Sequence, residues 1–227
     1  MRNLPIIDPH KLMHALMVSV GVDIPPKRVQ NYWRTHRDEL QEDWAIQSPA
    51  SDSHIPMAIY GDSAKVKDDG AKVVGIFLSM PAVWRPPSSR CARWCGFAVE
   101  EHKLYGYETL DAVFRRVTYS CNLLFDGRDP SEPNKLLCNG RVFSVTELKG
   151  DWQWLKLTMR FRSSWQNVDQ VCFLCNATAR SDDPGQLHYC MDQHPTWRCY
   201  DLTTFLAEQM DMRHPCFLTM PNFGKAF

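Results

Sequence analysis

"HIPMAIYGDSAKVKDDGAKVVGIFLSM", residues 54 to 80, decides how this chain is read. "IPMAIY" and "KVVGIFLSM" are apolar runs joined by the polar "KDDG", which predicts two strands paired as a hairpin. The first run breaks at Gly61-Asp62. Gly-Asp is a common turn dipeptide, so the stretch taken alone favours a turn. An aspartate at the end of a rigid strand is also a place to hold a hard divalent cation. The order of the following elements separates the two readings.

"RWCGFAVEEHKLYG" allows a third strand. "TLDAVFRRVTYSCNLLF" sets Leu110, Val113, Phe114, Val117, Cys121, Leu124 and Phe125 along one helical stripe, the clearest periodic signal in the chain. "DGRDPSEPN" ends that helix, and "GRVFSVTEL" reads as a fourth strand that stops at Lys149-Gly150-Asp151. Three strands, a long amphipathic helix and a fourth strand, with an aspartate just past strands one and four, is the ribonuclease H-like order. The expected fold class is α/β, a mixed sheet flanked by helices in which strands one and four are adjacent and parallel. Asp62 and Asp151 would then stand side by side as ligands for magnesium or manganese. Two such ions about 4 Å apart serve in-line phosphoryl transfer.

Ahead of this core, "DPHKLMHALMVSV" carries Asp8 as N-cap, Pro9 at the first helical position, and Leu12, Met13, Leu16 and Met17 at helical spacing, with Gly21 as the stop. "PPKRVQNYWRTHRDEL" predicts a second helix with Val29, Tyr32, Trp33 and Leu40 on one face. A helix-turn-helix using Lys27, Arg28, Arg34 and Arg37 is the rival to a plain helical cap. The cap is favoured, because nothing singles out a recognition helix. "QSPASDSH" reads as a linker. "WQWLKLTMRFR" fits both periods and is read as a helix leaving the sheet, with Lys156, Arg160 and Arg162 beside Asp151 as candidate phosphate contacts. The expected organisation is a helical segment over 1–50, the core over 54–165, a zinc-knuckle insertion over 166–200, and a C-terminal helix and tail over 201–227.

Length and a 44% hydrophobic content allow a sizeable core. Lys plus Arg and Asp plus Glu are 26 each, so bulk charge gives no general pull on nucleic acid, and any basic surface is local. Apolar runs such as "VVGIFL" fall short of the roughly 20 residues that span a bilayer, and no leader-like segment opens the chain. The expectation is a nuclear or other intracellular protein without a membrane partner.

Nine cysteines in such a chain favour reduced thiols with a subset on a metal. "VCFLCNATARSDDPGQLHYCMDQHPTWRC" contains Cys172-x-x-Cys175, the usual knuckle for tetrahedral zinc, followed by His188, Cys190, His194 and Cys199. His188 and Cys190 are the preferred second pair, and His194 and Cys199 the rival. Cys91 and Cys95 in "RCARWC" could form half of another site, but lack a second pair nearby.

"ELKGDWQWLKL" followed by "VCFLCNA" resembles the block of CACTA-type transposases in which an aspartate after a strand leads, through an aromatic-rich stretch, to a CxxC knuckle. "IYGDSAKV" is similar to their first aspartate block. The stretch from His54 to about Cys199 also resembles uncharacterised, highly multiplied proteins of dinoflagellate algae that look derived from mobile elements. The resemblance implies that Asp62 and Asp151 are the first two acids of a DDE triad. The third should lie in "YDLTTFLAEQMDM", as Glu208 or Asp211, with a C-terminal half shorter than the family pattern. It implies DNA cleavage and strand transfer, in an active or decayed copy. The alternative is a non-catalytic, zinc-stabilised module that binds nucleic acid or protein.

Overall fold

The computed structural model describes residues 4–65, 70–88, 91–129, 131–159 and 175–178, together with Thr204 and Ala207. They fall into two units, one ending at Asp151 and one beginning at Trp152.

The first unit is built on a four-stranded mixed sheet. Its strands are β1 (Ile55–Lys65), β2 (Lys72–Ser79) and β3 (Trp94–Glu100), and β6 (Phe143–Gly150) completes the order β3-β2-β1-β6. β1, β2 and β3 form an antiparallel meander, whereas β1 and β6 run parallel. A parallel pair needs a long crossover, and the chain supplies one through the helix α4 (Gly106–Asp126) and a small hairpin of β4 (Arg128–Asp129) with β5 (Glu132–Leu136). The mixed α/β architecture expected from the sequence is therefore the one observed.

Residues 55–59 of β1 are buried on both faces, as a central strand between two partners requires. One sheet face carries Ile59 of β1, Ile76 and Leu78 of β2, Phe97 and Val99 of β3, and Phe143 and Val145 of β6, all buried apart from their edges. The α4 stripe is buried as its periodicity predicts, at Leu110, Val113, Phe114, Val117, Cys121 and Leu124. Gly127 ends α4 in the left-handed region (φ 68°), and its N–H donates to the Leu123 carbonyl at 2.9 Å.

The N-terminal helices belong to this unit as a cap on the sheet. They are α1 (Pro9–Val18), which packs on α4; α2 (Pro26–Arg34), which packs on β1; and the short α3 (Asp43–Ile46). Asp8 is not the side-chain N-cap of α1: its carboxylate takes a bidentate bond from Arg116 of α4 instead, at 2.5 and 2.7 Å. On α2, Val29 and Trp33 are buried as expected, but Leu40 is 56% exposed. The chain leaves the α-helix for a π turn over Thr35–Glu39, which shifts the phase of everything after it. The stretch read as a linker is tied down. The Trp33 indole donates to the His54 carbonyl at 2.7 Å, and the Arg37 guanidinium bonds the carbonyls of Ala45 and Ala50. The edge of β3 is covered in turn, since Ile7 donates its N–H to the Gly96 carbonyl at 2.8 Å.

In the second unit, α5 (Trp152–Met159) is the helix expected there, with Trp154 and Thr158 buried. The Thr158 hydroxyl donates back to the Trp154 carbonyl at 2.8 Å. Cys175, Ala177 and Thr178 are also buried.

Candidate active-site edge

Two strands that share a register place the candidate carboxylates. The parallel pairing of β1 with β6 runs to Gly61 opposite Gly150, so Asp62 and Asp151 each follow directly on a paired glycine, Asp62 within β1 and Asp151 just past the end of β6. β6 carries one extra residue, Thr146, between Val145 (opposite Met57) and Glu147 (opposite Ala58). Without that bulge the two glycines would not be level, and the aspartates would be offset by one residue and by one face.

Asp62 is not in a turn. β1 continues to Lys65 because its other edge stays paired to β2, with Asp62 opposite Gly75 and Lys65 opposite Lys72. The strand ends at Gly61 only with respect to β6. This corrects the reading of Gly61-Asp62 as the strand terminus: an antiparallel partner outlasts the parallel one.

Around Asp62 the sheet supplies a small polar cluster. Tyr60 and Asp62, two residues apart, lie on one face, and the Tyr60 hydroxyl donates to Asp62 Oδ2 at 2.7 Å. The Ser63 N–H donates to Asp62 Oδ1 at 2.7 Å. Arg93 lies over the Tyr60 ring, 4.2 Å from its centroid. The bond to the Asp62 carboxylate is the main reason the Tyr60 phenol is held above its ordinary pKa. Next to Tyr60 in the register stands Lys149, whose ammonium is paired with Glu147. Tyr60 and Arg93 were not singled out from sequence. The period-two alternation that sets Tyr60 on the Asp62 face was the available signal.

The chemistry of this donor set suits a hard divalent cation. Each Asp62 oxygen accepts one hydrogen bond and keeps a lone pair, and Asp151 is exposed at the same level of the neighbouring strand. Among the described residues, no group of three or more His, Cys, Asp and Glu side chains is gathered closely enough to hold a metal.

The remaining candidates are distributed as follows. Lys156 is half-buried on α5 in the second unit, and Cys175 is buried there. Glu208, Asp211, Arg160, Arg162, Cys172, His188, Cys190, His194 and Cys199 lie outside the described residues. Cys91 and Cys95 are both exposed free thiols, Cys95 on β3 and Cys91 accepting a bond from the Ser88 hydroxyl at 3.5 Å. No protein-family model, curated protein or solved structure matches this chain.

Proposed function

We propose that this chain is a transposase-derived domain of ribonuclease H-like type, acting on DNA by phosphoryl transfer. The observation that carries the reading is the parallel β1–β6 register, which sets Asp62 and Asp151 at one level at the edge of the pairing. In this reading the two aspartates and Glu208 hold the magnesium or manganese. Two ions bound there would supply Lewis-acid activation of the attacking and leaving oxygens. The protein's own part is positional: two rigid strands fix the carboxylates, and the Tyr60 hydroxyl and the Ser63 N–H orient Asp62. Cys172, Cys175, His188 and Cys190 form a structural zinc site, Lys156, Arg160 and Arg162 contact phosphate, and the protein works in the nucleus or elsewhere inside the cell.

A second reading is a binding module of the same ancestry that has lost its chemistry. It is favoured by the Asp62 carboxylate, both of whose oxygens already serve local donors of β1.

Thermal melting with manganese separates the two. A ligand at tenfold excess over its Kd stabilises by about 1.4 kcal/mol, a rise of a few degrees in Tm for a chain of this size. The catalytic reading expects that rise in the wild type, its loss in Asp62→Asn and in Asp151→Asn, and metal-dependent nicking of plasmid DNA by the wild type alone. Equal melting of all three proteins with and without manganese would refute it and leave the module.

A further inference from the structure

We propose that the surface running from α2, across the loop after β2, to Tyr60 is a binding track for single-stranded nucleic acid. Two clefts meet there and share Arg85 as their common wall. One, of about 470 Å³, is also lined by Arg28, Tyr32 and His36; the other, of about 290 Å³, by Tyr60, Trp84, Arg93 and Lys149. Among the described residues no aspartate or glutamate lines either cleft, although Glu42 bonds His36, Glu147 pairs with Lys149 and Asp62 accepts from Tyr60 behind the walls. In a chain with 26 cationic and 26 acidic residues, the tract is lined by four Lys or Arg side chains, of which Lys149 is paired, so its positive character rests on the three arginines. Arg28 and Arg85 are exposed and make no ion pair among the described residues, so their charge is available to a ligand. Lys149 is shared with Glu147, and Arg93 lies over Tyr60.

The aromatic component identifies the occupant. Trp84 is stacked on Trp94, with centroids 5.0 Å apart and planes 28° apart, so its indole is fixed in place as a wall of the cleft. Guanidinium groups for phosphates alternating with a rigid aromatic surface for bases is the pattern that grips an unpaired strand. A duplex hides its base faces from such a wall, and an acidic peptide would use the cations but not the indole. The far end of the track reaches Tyr60, whose hydroxyl bonds Asp62, so a strand lying in it is led to the Asp62–Asp151 edge. This deepens the proposed function and rests on it only in taking DNA as the nucleic acid, because the binding itself does not use Asp62.

The test is fluorescence anisotropy of a labelled oligothymidylate with the full chain, in chelator to suppress cleavage. The wild type should bind, more weakly as salt rises. Arg85→Ala should weaken binding several-fold and reduce the slope of log K against log salt by about 0.7, the value for one phosphate contact on a single strand. Trp84→Ala should weaken it about 5- to 160-fold with the salt slope unchanged, and Trp84→Phe should retain most of the affinity. Asp62→Asn should bind no more weakly than the wild type, since it removes a negative charge beside the track, so that a failed catalytic reading and a failed track are told apart. The track is overturned by absence of binding, or by wild-type affinity in both Arg85→Ala and Trp84→Ala. Equal affinity for a blunt duplex, or equal displacement by polyglutamate, overturns it too. So does a loss seen with Lys156→Ala but not with Arg85→Ala, which would move the contact to the second unit.

Discussion

The Tyr60 hydroxyl donates to Asp62 Oδ2 at 2.7 Å, and this bond changes what Asp62 substitutions should do. From sequence, two neighbouring carboxylates without a metal would repel, and Asp62→Asn would stabilise the metal-free protein. In the structure the carboxylate also accepts bonds from Tyr60 and Ser63, which offset that repulsion. Asparagine keeps one of the two oxygen acceptors and removes the negative charge. Asp62→Asn in chelator should therefore lie within about 0.5 kcal/mol of the wild type. Asp62→Ala loses both bonds and should cost about 1–2 kcal/mol. Urea unfolding of the three proteins in chelator gives both values, and a clear gain for Asp62→Asn would show that repulsion from Asp151 dominates.

Asp8 and Arg116 tie the start of α1 to the middle of α4. Asp8 is buried, at 6% exposure, and the Arg116 bond holds its carboxyl below the ordinary value. A lowered carboxyl pKa contributes stability that is present above the unfolded value near 3.8 and is lost as the pH falls through the folded one. Arg116→Ala leaves the buried carboxylate with Lys11, 3.5 Å away and largely exposed, as its remaining ion-pair partner among the described residues. Because Arg116 is itself half exposed, the expected loss is about 1–3 kcal/mol at neutral pH, below that of a fully buried pair. The variant should also lose part of the wild type's acid sensitivity below pH 4. Denaturant melts at pH 7 and pH 3 check both statements.

Tyr32 of α2 gives the opposite pH dependence. Burial is the main cause that raises its phenol from 10.0 to about 12; the charges of Glu147 and Glu42 add to the rise, and a hydrogen bond with Thr146 opposes it. Between those two values the folded protein keeps the phenol proton and the unfolded chain releases it, so stability falls as pH rises from 10 to 12. Tyr32→Phe should remove this component and flatten the alkaline decline. The raised phenol of Tyr60 leaves a residual decline in that variant. Denaturant melts at pH 9 and pH 11 test the difference, and equal declines in wild type and Tyr32→Phe would contradict it.

Where burial fixed the pattern, the sequence was readable. The α4 stripe and the apolar runs of β1, β2 and β6 are one- or two-sided core elements, and each spacing carries that fact. Other features depend on partners remote in sequence or on turn chemistry. The last four residues of β1, Asp62 to Lys65, carry no large apolar side chain and are half-buried or exposed, so only their pairing with β2 makes them strand. The β4–β5 hairpin was missed because no hydrophobic period marks it; its turn is held by Asp129 Oδ1, which accepts bonds from the Ser131 N–H and hydroxyl at 2.9 and 2.6 Å. The Thr146 bulge levels Gly61 with Gly150, and no residue type announced it. The basic track was illegible for a similar reason: Arg28, Arg85 and Lys149 come from three separate segments, and only the fold brings them to adjoining clefts.

The cysteines separate into classes that one alkylation experiment can distinguish, and the zinc proposal depends on the result. Cys91 and Cys95 are exposed and should be alkylated in the native protein at once. Cys121 and Cys138 are buried, and burial pushes both thiols up to about 12, so they should react only on global unfolding, with or without chelator. Cys175 is buried in the second unit, where burial alone would also protect it. A structural zinc adds a distinct signature, because its binding free energy is also folding free energy for the segment that holds it. If Cys172 and Cys175 share a zinc, both should be protected in the native protein and should react after chelation under conditions that leave Cys121 and Cys138 protected. Metal analysis should find one zinc per chain, lost in Cys175→Ser. If His188 and Cys190 complete the site, His188→Ala should speed the chelator-dependent alkylation of Cys175 more than His194→Ala does. Protection of Cys175 that is indifferent to chelator, with no zinc in the purified protein, would assign its inertness to packing alone and end the zinc proposal.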